Sequence, residues 1–263
     1  MDLGLKDKVA LVAAGSRGLG RAVAEELAAE GASLLLCARD AATLAETTAS
    51  IADQTGAHVL GVPADVTDPR QVKQLVASGL ERFGRIDILV TNAGGPPAGR
   101  FEQLTQEQWE QATRLTLFSA VHLAREVLPG MRARRWGRIL NITSIAVKQP
   151  VENLLLSNSL RAAVTGFART LANEVATEGI TVNNILPGYT RTERLEELAE
   201  MMAEKQGISP NEFRGKWEAE IPMGRLGEPR EFAALAAFLV SERASYITGT
   251  SIQVDGGWIR SLF

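Results

Sequence analysis

Short apolar runs alternate with longer amphipathic stretches from one end of this chain to the other. The runs are residues 9–13, 33–37, 58–62, 86–90, 138–142, 181–186 and 251–254, each four to six residues long and largely apolar. Runs of that length are too short for helices, and apolar character on both faces predicts strands of a parallel sheet covered on each side. Between them, residues 19–29, 42–52, 72–83, 108–128, 160–176 and 231–239 carry apolar positions at helical spacing with few breakers. The alternation predicts an α/β fold, a doubly wound parallel sheet of Rossmann type with helices on both faces.

Residues 192–223 depart from this rhythm. They are mixed in charge and dotted with Leu195, Leu198, Met201, Met202, Ile208, Phe213, Trp217 and Ile221. The segment follows the sixth predicted strand, and ligands of open α/β sheets bind beyond the carboxyl ends of the strands. It is read as a helical lid over a substrate, against the alternative of a helix pair that only packs on the body. No composition break, solenoid-period repeat or low-complexity linker divides the 263 residues, so one domain over residues 1–263 is expected.

Composition narrows the function classes. A net charge of −3 argues against a nucleic-acid partner, because binding a phosphate backbone needs clustered Lys and Arg to displace counterions. Cys37 is the only cysteine, so no internal disulfide forms, and with only His58 and His122 no zinc site is expected. The first ten residues carry charge where a signal peptide needs an apolar core. No run approaches the roughly 20 apolar residues of a membrane span, so a soluble, cytoplasmic protein with no membrane partner is expected.

The first predicted strand runs into Ala13-Ala14-Gly15-Ser16-Arg17-Gly18-Leu19-Gly20, directly before a predicted helix. Glycines there let backbone N–H groups approach a pyrophosphate seated on the positive helix N-terminus. Four more segments follow in order: Ala38-Arg39-Asp40, Asp65-Val66, Asn92-Ala93-Gly94 and Pro187-Gly188, each closing a strand. Together, and through Val182-Asn183-Asn184, Tyr246-Ile247-Thr248-Gly249 and Asp255-Gly256-Gly257, the chain resembles the short-chain dehydrogenase/reductase family over nearly its whole length, and most closely the 3-oxoacyl-acyl-carrier-protein reductases.

The resemblance implies a dinucleotide held by Gly15, Ser16, Arg17, Gly18, Leu19 and Gly20. Asp65 and Val66 would meet the adenine, Asn92, Ala93 and Gly94 would pass beside its ribose, and Pro187 and Gly188 would flank the nicotinamide. Thr190 and Thr192, just beyond, are counted with them. At the end of the second strand a carboxylate would favour a ribose 2′-hydroxyl and a guanidinium a 2′-phosphate, so Arg39, with Arg17, favours NADP(H) over NAD(H). Ala13 and Ala14 stand where the family places Thr and Gly, and Gly15 is expected to take over the permissive backbone position.

For chemistry, the family uses a Ser that holds the substrate oxygen, a Tyr as acid, a Lys that binds the nicotinamide ribose and lowers the Tyr pKa, and an Asn that anchors a water. Ser144, in Asn141-Ile142-Thr143-Ser144, matches the Ser. The Tyr belongs thirteen residues on and the Lys four beyond it, and those positions are Ser157 and Arg161. Thirteen residues before Pro129, the Asn position is Thr116. A serine is a poor proton source beside a phenol of pKa about 10. Arg161 still offers a fork for ribose hydroxyls but stays protonated. Tyr189, Lys148 and Glu152 are the titratable candidates nearby.

Two functions remain open. One is an NADP(H)-dependent oxidoreductase reducing a ketone or 3-oxoacyl thioester, with water or Tyr189 as the proton source. The other is a nucleotide-binding homologue without turnover, acting as a sensor or partner subunit. The resemblance also implies a homotetramer, with residues 108–128 and 160–176 pairing across one interface and residues 256–263 forming another.

Overall fold

The computed structural model describes residues 2–262. Its strands are β1 (Val9–Ala13), β2 (Ser33–Ala38), β3 (Val59–Pro63), β4 (Ile88–Thr91), β5 (Gly137–Ile142), β6 (Ile180–Pro187) and β7 (Ser251–Val254). They form one parallel sheet in the order β3-β2-β1-β4-β5-β6-β7. The helices are α1 (Gly18–Ala29), α2 (Ala41–Thr55), α3 (Pro69–Phe83), α4 (Gln106–Thr113), α5 (Ser119–Arg134), α6 (Leu155–Val175), α7 (Glu193–Gln206), α8 (Pro210–Glu220) and α9 (Pro229–Leu239). The chain is a Rossmann-type α/β fold, and the strand order reverses between β1 and β4. Their carboxyl ends splay a crevice there, the place where such sheets bind ligands.

Period-2 alternation divides the strand side chains between two cores. Ala10, Val12, Leu34 and Leu36 face one side, packed with Val23 and Leu27 of α1, Leu44 and Ile51 of α2 and Phe232 and Ala236 of α9. Leu11, Ala13, Leu35 and Cys37 face the other, packed with Leu75 of α3, Leu123 of α5 and Ala172 of α6. Full burial of each Val, Leu, Ile or Phe among them contributes about 1.5–3 kcal/mol, which is why the strands are apolar on both faces.

Two expected helices differ from the sequence reading. The single helix over residues 108–128 is interrupted: α4 and α5 are joined by a π-helical turn at Arg114–Phe118. Helical spacing cannot reveal one inserted residue, and such insertions recur at functional sites; this one carries Thr116. The helix expected from residue 160 begins at Leu155, so Ser157 lies in its first turn.

The segment over residues 192–223 folds into α7 and α8. Thr192 caps α7 by accepting from Leu195 N–H, and Ser209 and Glu212 form a reciprocal cap on α8. The apolar residues of the pair pack chiefly on one another: Ala199, Ala203, Phe213, Trp217 and Ile221 form a separate cluster with Tyr189 and Trp258 at its edge. Phe263, the last residue of the expected interface over residues 256–263, lies outside the described residues.

Candidate active site

The turn after β1 is built by close approach. Gly15 N–H donates to the Cys37 carbonyl at 3.0 Å. A Cβ on Gly15 would lie 3.1 Å from the Val12 carbonyl oxygen and 3.2 Å from Leu36, so a larger residue would fit only if these neighbours gave way by a few tenths of an ångström. It does not take the left-handed backbone position expected of it. Ala14 takes it instead, with φ of 48°, because the chain must turn before Gly15 is pinned to β2. Gly20 is held even more tightly, since a Cβ there would lie 2.3 Å from the Ala14 carbonyl oxygen. An alanine in the left-handed region costs about 1–2 kcal/mol, partly offset by the lower entropy of the unfolded chain relative to glycine. Ala14→Gly is therefore expected to stabilise the fold by about 0.5–1 kcal/mol, seen as a raised urea midpoint at unchanged slope; a lowered midpoint contradicts the strain.

Helix α1 begins under this turn with no side-chain cap at Arg17, whereas α2, α3, α7 and α8 are each capped by a side chain. No side chain caps its first N–H groups, which leaves them open to an anion such as a pyrophosphate. Across the crevice, a Cβ on Gly18 would lie 3.7 Å from Thr192 Cγ2, so the turn after β1 and the segment after β6 meet. Asn92 Nδ2 reaches the Ala14 carbonyl at 3.5 Å, and Gly94 has open space where a Cβ would stand. Thr190 is buried, its hydroxyl 3.4 Å from the Gly188 carbonyl oxygen. These groups fit a dinucleotide.

Beyond the end of β2, Arg39 is exposed and forms no ion pair among the described residues. Its neighbour Asp40 is occupied as the cap of α2, accepting from Thr43 N–H at 2.7 Å, and that bond holds its carboxyl below the usual range. Arg17 donates to Thr43 Oγ1 at 2.9 Å and lies 3.7 Å from Glu193, tying the turn to α7. A groove between α1 and α2 runs past Ser16, Arg17, Gly18 and Thr43. Asp65 accepts from Thr67 N–H at 2.9 Å, and Val66 is buried.

At the other end, Arg161 organises a small cavity lined by Asn92, Ala93, Gly94, Thr116, Thr143 and Val164. Its Nη1 donates to the carbonyls of Ile142 at 3.1 Å and Thr143 at 2.6 Å, and its Nε donates to Ser157 Oγ at 3.2 Å. Arg161 is half-buried, its charged end the enclosed part; burial first, and the charge of Arg194 second, push it down to about 10. It remains a cation at neutral pH. Fastening to the end of β5 leaves only Nη2 without a hydrogen bond among the described residues, so less of the fork is open to ribose than the sequence suggests. Ser144 Oγ accepts from Ala146 N–H at 3.1 Å beside this point. The hydroxyls of Thr116 and Thr143 are buried without a partner, both at the cavity wall. A buried hydroxyl without a partner costs about 1–3 kcal/mol, so both are placed to take a water or a ligand atom.

The other titratable candidates are engaged elsewhere. Tyr189 stacks on Trp217 at 5.1 Å and meets Trp258 edge-on at 5.9 Å. Burial first, and Glu220 second, push its phenol up to about 12, away from the range a general acid needs. Lys148 donates to Gln253 at 2.6 Å, and Glu152 pairs with Arg100 at 2.9 Å. Sequence reasoning missed Thr143 and Arg194. Thr143 directly precedes Ser144 at a strand end, which was its only signal. Arg194 was hidden among the mixed charges of the segment after β6. No group of three His, Cys, Asp or Glu among the described residues is placed to hold a metal. No helix among them is long and apolar enough to cross a membrane.

The model of the enoyl-(acyl carrier protein) reductase family matches residues 13–259. The chain is 35% identical over 255 residues to the 3-oxoacyl-acyl-carrier-protein reductase of Vibrio cholerae, covering 97% of this chain and 98% of that protein. The chain belongs to the short-chain dehydrogenase/reductase family. Among solved structures, L-sorbose reductase of Gluconobacter frateurii, complexed with NADPH and L-sorbose, superposes with a TM-score of 0.96 at 37% identity over the whole of both chains. Actinorhodin polyketide ketoreductase, solved with NADPH, gives a TM-score of 0.93 at 32% identity, covering 97% of this chain and 98% of that one. This short-chain dehydrogenase/reductase is thus an oxidoreductase by family.

Proposed function

We propose that this short-chain dehydrogenase/reductase reduces a ketone or 3-oxoacyl compound with NADPH, and that Ser157, Arg161 and Thr116 occupy the places of the family's Tyr, Lys and Asn. The carrying observation is the uncapped N-terminus of α1, facing Thr192 across the crevice at the β1–β4 switch point. The bound cofactor supplies a hydride to the carbonyl carbon, and the oxygen then takes a proton. Arg39 and Arg17 select the 2′-phosphate, and the first turn of α1 holds the pyrophosphate. Ser144 and Ser157 hold the carbonyl oxygen, and Arg161 stabilises negative charge as it develops there. Neither serine is acidic enough to complete the transfer, and Tyr189 is locked between two indoles. A water held at the Thr116 and Thr143 hydroxyls relays a proton in from bulk solvent, so that no hydroxide is left behind, and without a tuned acid turnover is slow. The half-exposed Phe118 beside the π-turn supports pairing of α5 with a second copy, within a homotetramer.

Among the described residues lining the cavity there is no Tyr, Lys, His or carboxylate, which favours a second reading, a homologue that binds the nucleotide as a sensor or partner subunit without turnover. A spectrophotometric assay of NADPH oxidation separates the two. Oxidation that depends on an added ketone or 3-oxoacyl thioester is expected, and its absence with every carbonyl while NADPH still binds would select the second reading.

A further inference from the structure

Most arginines around the mouth of the crevice have a carboxylate. Arg17 lies 3.7 Å from Glu193, Arg191 is 3.2 Å from Glu228, Arg214 pairs with Glu196, and Arg225 is 2.7 Å from Glu231. Arg161 and Arg194 have none among the described residues. Arg161 spends its hydrogen bonds on two carbonyls and a serine, all neutral acceptors, in an enclosed cavity. Arg194, at the start of α7, makes one long contact, 3.4 Å to the Gly95 carbonyl. Its guanidinium lies across Gly95: a Cβ there would come within 2.7 Å of its Nη2. Gly95 directly follows Gly94, which lines the cavity that holds Arg161.

The enclosed charge of Arg161 at this cavity has no carboxylate beside it, and the exposed Arg194, reaching in over Gly95, adds a like charge that makes that burial less favourable. Further anion sites in this cleft are already accounted for. The cofactor's pyrophosphate goes to the first turn of α1 and its 2′-phosphate to Arg39 and Arg17. Arg161 and Arg194 stand at the reacting end. The two hydroxyls without partners at the cavity wall, Thr116 and Thr143, add neutral donors to the same place. Most apolar side chains of α7 and α8 are taken up by their own cluster, Met201 being exposed, while the charged Arg194 is what α7 presents to Gly95.

We propose that the substrate is a small oxo acid, its free carboxylate held between Arg194 and the open edge of Arg161 while its carbonyl lies at Ser144 and Ser157. The inference rests on the oxidoreductase reading and narrows its substrate class. A planar carboxylate matches the guanidinium fork, and neutralising both cations ties substrate binding to the geometry of the reacting carbonyl.

The test compares 2-oxobutanoate and 3-oxobutanoate with their methyl esters in NADPH oxidation, using the intact protein and Arg194→Met. The native protein is expected to favour an acid over its ester in kcat/KM, and the substitution to reduce that preference roughly tenfold to hundredfold, mainly through KM. Equal use of acid and ester by the native protein overturns the proposal. So does a preference that survives the substitution, or a loss that appears only in NADPH affinity. A second arm needs no turnover: the NADPH-loaded protein is titrated calorimetrically with 2- and 3-hydroxybutanoate and their methyl esters. If no carbonyl is reduced, hydroxy-acid binding that the ester lacks and Arg194→Met removes still supports the anion site, and only the oxidoreductase reading fails. No hydroxy-acid binding overturns the site itself.

Discussion

Replacing Ser157 by tyrosine and Arg161 by lysine together is expected to raise kcat for carbonyl reduction by about 10² to 10⁴, the usual contribution of a positioned acid. The two residues are one helical turn apart on α6 and already touch through the 3.2 Å contact of Arg161 Nε with Ser157 Oγ. A phenol at 157 would place a proton of pKa near 10 where an alcohol now stands, and a lysine four residues on would lower it further. Neither change alone should give the full effect. Ser157→Tyr would leave Arg161 fastened to the Ile142 and Thr143 carbonyls, and Arg161→Lys would leave no acid for the amine to tune. The gain should appear in kcat with a new pH limb from the phenol, while NADPH affinity changes less. Ser157 is buried, so thermal melting must accompany the kinetics. A well-folded double variant with unchanged kcat and pH profile would contradict the assignment of these two places.

Arg39→Ala is expected to weaken NADPH binding roughly tenfold to hundredfold while leaving NADH binding nearly unchanged, since a charge-assisted contact to phosphate is worth about 1.5–3 kcal/mol. Arg39 is free of ion pairs at the end of β2, and the adjacent carboxylate of Asp40 is committed to Thr43 N–H. No carboxylate there is left to favour a 2′-hydroxyl. Arg17 shares its fork between Thr43 and Glu193, so it compensates only in part. The effect should shrink with added salt, as expected of an exposed charge contact. Fluorescence titration of both nucleotides at low and high ionic strength reads it directly, and equal losses for NADPH and NADH would show that Arg39 does not select the 2′-phosphate.

The sheet was legible where burial on both faces leaves no freedom in the strands: the run at 9–13 coincides with β1, whose five residues are all buried. The amphipathic pattern located every long helix but could not show the π-turn at Arg114–Phe118, which changes the backbone without changing residue types. Around the cleft, motif spacing singled out Gly18, Gly20, Asn92, Ser144 and Arg161 as candidates, and the fold gathers them about the carboxyl ends of β1, β4 and β5. It misassigned the left-handed position, because only the bond from Gly15 N–H to the Cys37 carbonyl forces the turn onto Ala14. Tyr189 looked available in the sequence, since nothing there announces that Trp217 and Trp258 close around it. Arg194 carried no spacing signal. Its importance lies in the carboxylates it does not meet, a property of the folded surface alone.

The central claim is that this chain keeps a working dinucleotide pocket around proton-handling positions occupied by a serine, an arginine and a threonine. Calorimetric titration of the native protein with NADPH and, separately, NADH tests the pocket most directly. The account predicts saturable binding of one NADPH per chain, tighter than NADH. No heat of binding with either nucleotide at millimolar concentration would contradict it.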